Sequence, residues 1–302
     1  MTLAPRVVLV HRRTEYQELL AQHGSRGQAA FFLTSRGRSP DELDQAERRH
    51  HQDLAALAEA AGAVPLDWRR SRVERADLDR FLFGPQDIVV AVGQDGLVAN
   101  VAKYLSGQPV IGIDSDPGRN PGVLVRHRPA DAAELLRLAA RGPAAGQLQE
   151  RTMVEAVADD DQRLLALNEI YVGRRTHQTA RYRLTVPDGH SEAQASSGVL
   201  VGTGTGGTGW CRSAWLERRS TLRLPEPQAP AVGWFVREAW PSPATGTSWA
   251  QGLLTATEQL AITVDSDELV AFGDGVESDA LRLSWGQTVR LRVAGERLRL
   301  LA

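Results

Sequence analysis

An α/β N-terminal half built on an open parallel sheet, followed by an all-β, sandwich-like C-terminal half, is the architecture the sequence predicts. Three observations carry this expectation. Residues 88–92 (IVVAV) and 109–113 (PVIGI) are apolar runs of strand length, as expected for strands buried on both faces of a sheet. Helical periodicity separates such runs, which gives the β-α-β order of a right-handed parallel sheet with functional loops at the strand C-termini. Beyond residue 144 the texture changes to short strands at turn-limited spacing. The expected units are therefore 1–144 and 145–302, each of ordinary domain size within 302 residues.

Arg6 to Val10 (RVVLV) opens the sheet, and a helical pattern starts between Arg12 and Leu20. Gly24 to Pro40, rich in Gly, Ser and Arg, reads as a loop. Asp41 to Ala61 reads as a long amphipathic helix with Leu43, Ala46, Leu54, Leu57 and Ala58 inward, closed by Gly62. His50 and His51 are adjacent on it and diverge by about 100° around the axis, a poor arrangement for a shared metal, so both read as solvated. Val64 to Trp68 is a second strand candidate, and Ala76 to Phe83 a short helical or linking segment. Ala130 to Arg141 is a helix with leucines at 135, 136 and 138, terminated by Gly142-Pro143-Ala144-Ala145-Gly146. In the second half, residues 152–158, 163–172, 180–186, 197–201, 261–264 and 290–293 read as strands. Pro187-Asp188-Gly189 and Gly273-Asp274-Gly275 are turns between them, and Pro225 to Pro230 (PEPQAP) is an exposed loop.

Composition excludes several classes. With 35 Lys+Arg against 37 Asp+Glu the net charge is −2, which gives no global attraction to nucleic acid or to an anionic membrane. No run approaches the roughly 20 apolar residues that span a bilayer, and no signal-peptide core opens the chain. Cys211 is the single cysteine, which leaves no intrachain disulfide and no thiolate-rich metal site and suits a reducing cytoplasm. Lys103 is the only lysine and does not follow a glycine, so a Walker phosphate loop is excluded. A Schiff-base enzyme would have to use Lys103 itself.

The chemistry concentrates in two glycine-rich stretches. In Asp87 to Leu105 a buried strand runs into Gly93-Gln94-Asp95-Gly96, and Val98, Val101, Ala102 and Leu105 then recur at helical spacing. A strand, a tight turn and a helix N-terminus in this order suit a phosphate, with Gly93, Gln94 and Gly96 as its cradle. Asp95 would repel that phosphate unless it removes a proton or helps hold a metal; the alternative is a helix cap. The loop Asp114-Ser115-Asp116-Pro117-Gly118 follows the next strand and neighbours it, and its clustered carboxylates suit either Mg²⁺ or a plain turn.

The second stretch is Gly202-Thr203-Gly204-Thr205-Gly206-Gly207-Thr208-Gly209-Trp210, directly after the strand SSGVLV. Backbone N–H groups and the hydroxyls of Thr203, Thr205 and Thr208 make it a candidate for a nucleotide's base, ribose or phosphates; a Gly/Thr linker is the alternative. Asn168-Glu169 ends an apolar run, where an amide and a carboxylate facing a cleft would read ribonucleotide hydroxyls or the base.

VGQDG, GIDSDP, LNEI, SSGVLV with GTGTGGTGW, and the late FGDG resemble, in order and spacing, the NAD kinases, most of all the mitochondrial and plant branch. The resemblance covers most of the chain. It implies an NAD kinase/diacylglycerol kinase-like two-domain fold with an NAD-binding β-rich domain, and transfer of a phosphoryl group to the adenosine 2′-hydroxyl of NAD or NADH. Asp95 would be the catalytic base, and Asn168, Glu169, Thr203, Thr205, Thr208 and Trp210 would bind NAD. ATP or another phosphoryl donor with Mg²⁺ is implied, no residue being assigned as a metal ligand, and so is a homodimer or higher homo-oligomer. Two departures stand out. The family's GGDGT is Gly93-Gln94-Asp95-Gly96-Leu97 here, and the serine expected in the second loop is Gly207. Gln94 and Leu97 weaken the ATP side and Gly207 loses a further hydroxyl, so a catalytically degenerate NAD-binding protein of the same fold is the alternative, and a lipid kinase a weaker one.

Overall fold

The computed structural model describes residues 4–119, 122–142 and 147–302. They fall into two units, one formed by the chain up to Val101 with Gln108–Leu148 and Leu300–Ala302, the other by Ala102–Gly107 and Gln149–Arg299. The expected terminator Pro143–Gly146 lies outside the described residues.

The first unit is an open parallel sheet. β1 (Arg6–His11) pairs in parallel with β2 (Arg69–Glu74) on one side and with β3 (Asp87–Gly93) on the other, and β3 pairs in parallel with β4 (Pro109–Asp114). Every residue of β3 is buried, as its unbroken apolar run requires. α3 (Asp41–Gly62) and α5 (Ala132–Arg141) pack on the sheet through Ala56, Leu57, Ala60, Leu135 and Leu136, against Val7, Leu9, Val90 and Ile111. Each large aliphatic side chain buried this way contributes about 1.5–3 kcal/mol. α1 (Glu15–His23) begins at Thr14, whose hydroxyl accepts the Gln17 N–H while the Gln17 side chain returns to the Thr14 N–H.

Four expectations for this unit need correction. Residues 24–40 are not a loop, because Ser25 caps α2 (Arg26–Ser35) and buried Ala29 and Leu33 pack with Tyr16, Leu43 and Ala46. The second strand is Arg69–Glu74 rather than Val64 to Trp68; it forms the sheet edge, buries only Val73, and so carries no apolar alternation. On α3, Leu43, Ala46 and Leu57 are buried, but Leu54 is 44% exposed and Ala58 faces solvent, while Ala56, Ala60 and Ala61 turn inward. His50 is half-buried rather than solvated, with Nδ1 2.9 Å from Thr14 Oγ1 and its ring beside Tyr16.

The second unit is antiparallel β. One sheet has the order β12 (Gln251–Thr255), β11 (Ala231–Val236), β10 (Val199–Gly202), β7 (Glu169–Gly173), β14 (Glu268–Gly273) and β15 (Val276–Ser284). The other contains β6 (Arg163–Ala166), β5 (Leu148–Ala158), β16 (Thr288–Leu301), β13 (Gln259–Val264), β8 (Ala180–Thr185) and β9 (Ser191–Ser196) in that order. Val154, Leu184, Ile262 and Leu291 of the second sheet share one core with Ile170, Val201, Trp234 and Leu269 of the first, the packing of a β sandwich. The expected strand 163–172 is broken at Leu167-Asn168, and a helix, α6 (Trp210–Glu217), lies within this half. The loop 225–230 is fastened rather than free: Thr152 donates to Pro227 O at 2.9 Å and to Ala229 O at 2.8 Å. A Cβ on Gly204 would lie 2.3 Å from the Glu226 backbone, so this loop and the threonine-glycine stretch pack directly together.

Candidate functional site

In the first unit β3 ends at Gly93, whose φ of +151° favours glycine, and α4 (Asp95–Ala102) starts two residues later. Val98, Val101 and Ala102 are buried, so the apolar face of α4 fixes the turn against the core. The Asp95 carboxylate is held by a different segment. Oδ1 accepts the N–H groups of Leu124 at 2.7 Å and Val125 at 2.9 Å, and Oδ2 that of Val123 at 2.9 Å. That segment runs along β4, where His127 N–H donates to Gly112 O at 3.2 Å and Asp114 N–H to His127 O at 2.9 Å. Only glycine fits at 112, because a Cβ there would sit 2.1 Å from Leu124 O. A carboxylate offers about four acceptor positions, so three amides leave Oδ2 with one.

A cavity of about 170 Å³ opens at the C-terminal ends of all four parallel strands. His11, Arg12 and Arg13 line it from β1 and its following turn, Arg72 and Glu74 from β2, Gly93 and Gln94 from β3, and Ser115 from beyond β4, with Leu54 and Leu57 of α3 as an apolar wall. The guanidinium groups of Arg12, Arg13 and Arg72 make no hydrogen bond or ion pair among the described residues. Burial holds the His11 imidazole below the usual histidine range, against the opposing pull of Glu74. Gly96 is exposed on the first turn of α4, and Leu97 is 3% exposed and belongs to the core. Asp114 Oδ1 accepts the Asp116 N–H at 3.0 Å, the geometry of a turn. No group of three His, Cys, Asp or Glu among the described residues is placed to hold a metal ion.

In the second unit the polar pair sits where β7 begins. Asn168 and Glu169 are half-buried, and the turn that presents them is clasped by Asp274. The Asp274 carboxylate accepts N–H groups from Leu167 at 2.8 Å, Asn168 at 2.7 Å and Glu169 at 3.3 Å, and Asp274 N–H donates back to Glu169 O at 3.1 Å. Asp274 and Gly275 have φ of +54° and +66°, as a tight two-residue hairpin turn between β14 and β15 demands. Lys103 donates to Gly273 O at 3.2 Å and to Asp279 at 2.8 Å, so the single lysine is a buried anchor of this hairpin rather than a free amine.

The threonine-glycine stretch is ordered over this pair, with a short 3-10 turn at Gly206–Thr208 leading into α6. Thr203 is spent on the fold: its N–H donates to Asn168 O at 2.9 Å, its hydroxyl donates to Leu167 O at 2.6 Å, and Oγ1 accepts from Thr205 N and Gly206 N. Gly206 permits the contact, since a Cβ there would be 2.2 Å from Asn168 O. Thr208 is exposed and donates to Thr205 O at 3.0 Å. Trp210 stacks on Tyr171 at 5.5 Å, with the Arg237 guanidinium 5.1 Å from its ring. At this site two buried polar atoms, Glu169 Oε2 and Thr205 Oγ1, have no partner among the described residues. Such atoms are costly unless something satisfies them. Burial, reinforced by Asp274, raises the Glu169 carboxyl to about 8, and burial raises Asp274 to about 6 against the lowering effect of its amides and Lys103. Burial with Glu169 nearby also raises the Cys211 thiol strongly, which keeps it un-ionised.

The fold thus brings Gly93, Gln94 and Asp95 to one strand-helix turn, and Asn168, Glu169, Thr203 and Thr205 to another place in the second unit. Sequence reasoning missed Asp274 and the three arginines. The late FGDG signalled the first, and HRR after the first strand with RRSR at 69–72 the second.

A parallel α/β unit followed by an antiparallel β unit is the two-domain architecture of NAD kinases. The chain has NAD kinases among its homologues. It is 30% identical to an NAD kinase of Methanoregula boonei over 61% of this chain and 65% of that protein. It is 25% identical to a mitochondrial NAD kinase 2 of Xenopus tropicalis over 68% of this chain and 62% of that protein, and 31% identical to an NAD kinase of Caldanaerobacter subterraneus over 44% and 48%. The chain therefore spans less than two thirds of the length of these relatives. No family model matches it.

Proposed function

We propose that this protein transfers a phosphoryl group to the adenosine 2′-hydroxyl of NAD or NADH, with ATP or another phosphoryl donor. The observation that carries the reading is the cavity at the ends of the parallel strands, lined both by Gly93 and Gln94 of the glycine turn and by Arg12, Arg13 and Arg72, whose guanidiniums have no partner among the described residues. Phosphoryl transfer depends chiefly on positioning and charge neutralisation, so a donor phosphate chain held by arginine and backbone N–H groups needs no lysine. Asp95 has one acceptor position left on Oδ2, which in this reading takes the 2′-hydroxyl proton or orients that hydroxyl. Asn168, Glu169, Thr205 and the loop around Gly209 would hold the NAD side, and the two unpartnered atoms there would gain partners from the nucleotide. The described residues do not form a Mg²⁺ cage of their own, so Mg²⁺ would be held mainly by donor phosphates.

A second reading, a protein that binds NAD without transferring phosphate, is favoured by Gln94, which lines the cavity at the position where the family has glycine. The two separate in one assay. Purified protein is incubated with NAD or NADH and with ATP or inorganic polyphosphate, and NADP(H) is measured. Product that disappears in Asp95→Asn supports the kinase. Folded protein that binds NAD and yields no product with any donor supports the second reading.

A further inference from the structure

Two carboxyl groups of the second unit influence each other electrostatically under very different conditions. Asp274 accepts three backbone N–H groups, from Leu167, Asn168 and Glu169, and lies close enough to Lys103 to feel its charge. The Glu169 side chain makes no hydrogen bond among the described residues, and its Oε2 is closed off beneath the loop near Gly209. The groups bearing on the pair can be named element by element. Cys211 on α6 is un-ionised, Lys103 is ion-paired with Asp279 of β15, and Tyr104 donates to the same Asp279 at 2.6 Å. Among the described residues no cation offsets the burial of Glu169, whereas three dipoles and a nearby ammonium stabilise the Asp274 charge. When two carboxyls interact, the proton goes to the one whose charge is less well solvated.

We propose that Asp274 is the positioning residue for Glu169: it shapes the turn that presents Glu169 and carries the charge of the pair, leaving Glu169 a neutral acid that donates its O–H to the ligand. The ligand group recognised is then an uncharged acceptor, such as a ribose oxygen or a ring nitrogen, and a cationic group is disfavoured. The direction of the Glu169 shift agrees with this assignment. The identity of the ligand rests on the reading of this site as nucleotide-binding; the state of the pair does not.

The test begins on the intact chain without nucleotide. Glutamate side chains are labelled with carbon-13, Glu169 is assigned by comparison with Glu169→Gln, and its carboxyl resonance is followed against pH. The expected midpoint lies well above the ordinary carboxylate range and drops toward it in Asp274→Asn. A midpoint in the ordinary range in the wild-type chain overturns the proposal, and decides it even if Asp274→Asn does not fold. NAD binding is then measured across pH. Wild-type affinity should fall by about tenfold per pH unit above the Glu169 midpoint. Glu169→Gln, which keeps a donor, should bind without that dependence, and Glu169→Ala should bind poorly. Equal loss in Gln and Ala variants overturns the donor role. Absence of NAD binding in every variant overturns the nucleotide reading alone, because the titration is independent of it.

Discussion

Lys103 Nζ lies 2.8 Å from the Asp279 carboxylate, and Tyr104 donates to the other oxygen of the same group at 2.6 Å. The lysine side chain is 2% exposed. Removing one partner of a buried pair costs more than the pair contributes, because the other charge is left without compensation. Lys103→Met is expected to destabilise the protein by about 3 kcal/mol, read as a lower urea midpoint. An unchanged midpoint would show that the ion pair is not formed in solution.

Gly112→Ala places a methyl group 2.1 Å from Leu124 O and must displace the segment whose amides hold Asp95. Overpacking of this kind costs about 1–3 kcal/mol. The expected outcome is a folded, less stable protein, and on the proposed function its NADP(H) formation falls further than its stability explains. Activity at the wild-type level would separate Asp95 from its amide clasp functionally.

Thr203→Val removes a hydroxyl that donates to Leu167 O and accepts two N–H groups. Leaving those buried groups unpaired costs about 1–3 kcal/mol. Gly207→Ser is the contrasting variant, since its Cβ would meet only Leu224 at 3.7 Å. Chemical denaturation should show a loss for the first and little change for the second. The reverse order would contradict the structural assignment of Thr203.

On the proposed function, Gln94→Gly should strengthen donor binding, because it removes the side chain of a residue that lines the arginine-bearing cavity. A lowered KM for the donor with an unchanged KM for NAD is the expected pattern. Leu97→Thr should not help, since position 97 is in the core and a buried hydroxyl there has a desolvation cost. Should Leu97→Thr raise activity without loss of stability, the core assignment fails.

Stability should also depend on pH through Glu169. Its carboxyl is at about 8 in the folded chain against an ordinary 4.5, so the folded state keeps a proton that the unfolded state releases. Stabilisation is therefore complete below about 4.5 and is lost as pH rises toward 8, with a slope of at most about 1.4 kcal/mol per pH unit. Asp274, raised from 3.8 to about 6, adds in the same direction over the lower part of that window. Urea unfolding of wild type against Glu169→Gln between about pH 6 and pH 8 reads the upper part. Parallel stability curves would remove the linkage.

Legibility in the sequence followed the locality of the signal. β3, β4 and α4 were readable because unbroken apolar runs and helical spacing are written within a few residues, as Val89, Val90, Ile111 and Val98 show. β2 was not, because an edge strand carrying Arg69, Arg70 and Arg72 has one buried side chain and no alternation to detect. β15 (VESDALRLS), also a sheet edge, escaped because only Leu281 and Leu283 at its end are buried, and α2 because Gly27 and two serines masked a cap and two buried residues. Among the candidate site residues, Asp95, Asn168 and Glu169 stood out by motif. Asp274 read as an ordinary turn residue, since its carboxylate serves amides more than a hundred positions away. Arg12, Arg13 and Arg72 gather at one cavity only once the sheet order is known.

The first unit is completed by the far end of the chain. Leu301 is 1% exposed in its core, Ala302 N–H donates to Gln147 O at 3.1 Å, and Leu301 O is within 3.3 Å of His127 Nε2. During synthesis the chain up to Leu148 leaves the ribosome long before residues 300–302, so the core of the parallel sheet lacks Leu301 until the β sandwich has been translated. The second unit likewise borrows Lys103 and Tyr104 from chain made earlier. Cutting the gene at 148/149 would deprive both halves of core residues, and the two products would be expected to fold poorly when made separately.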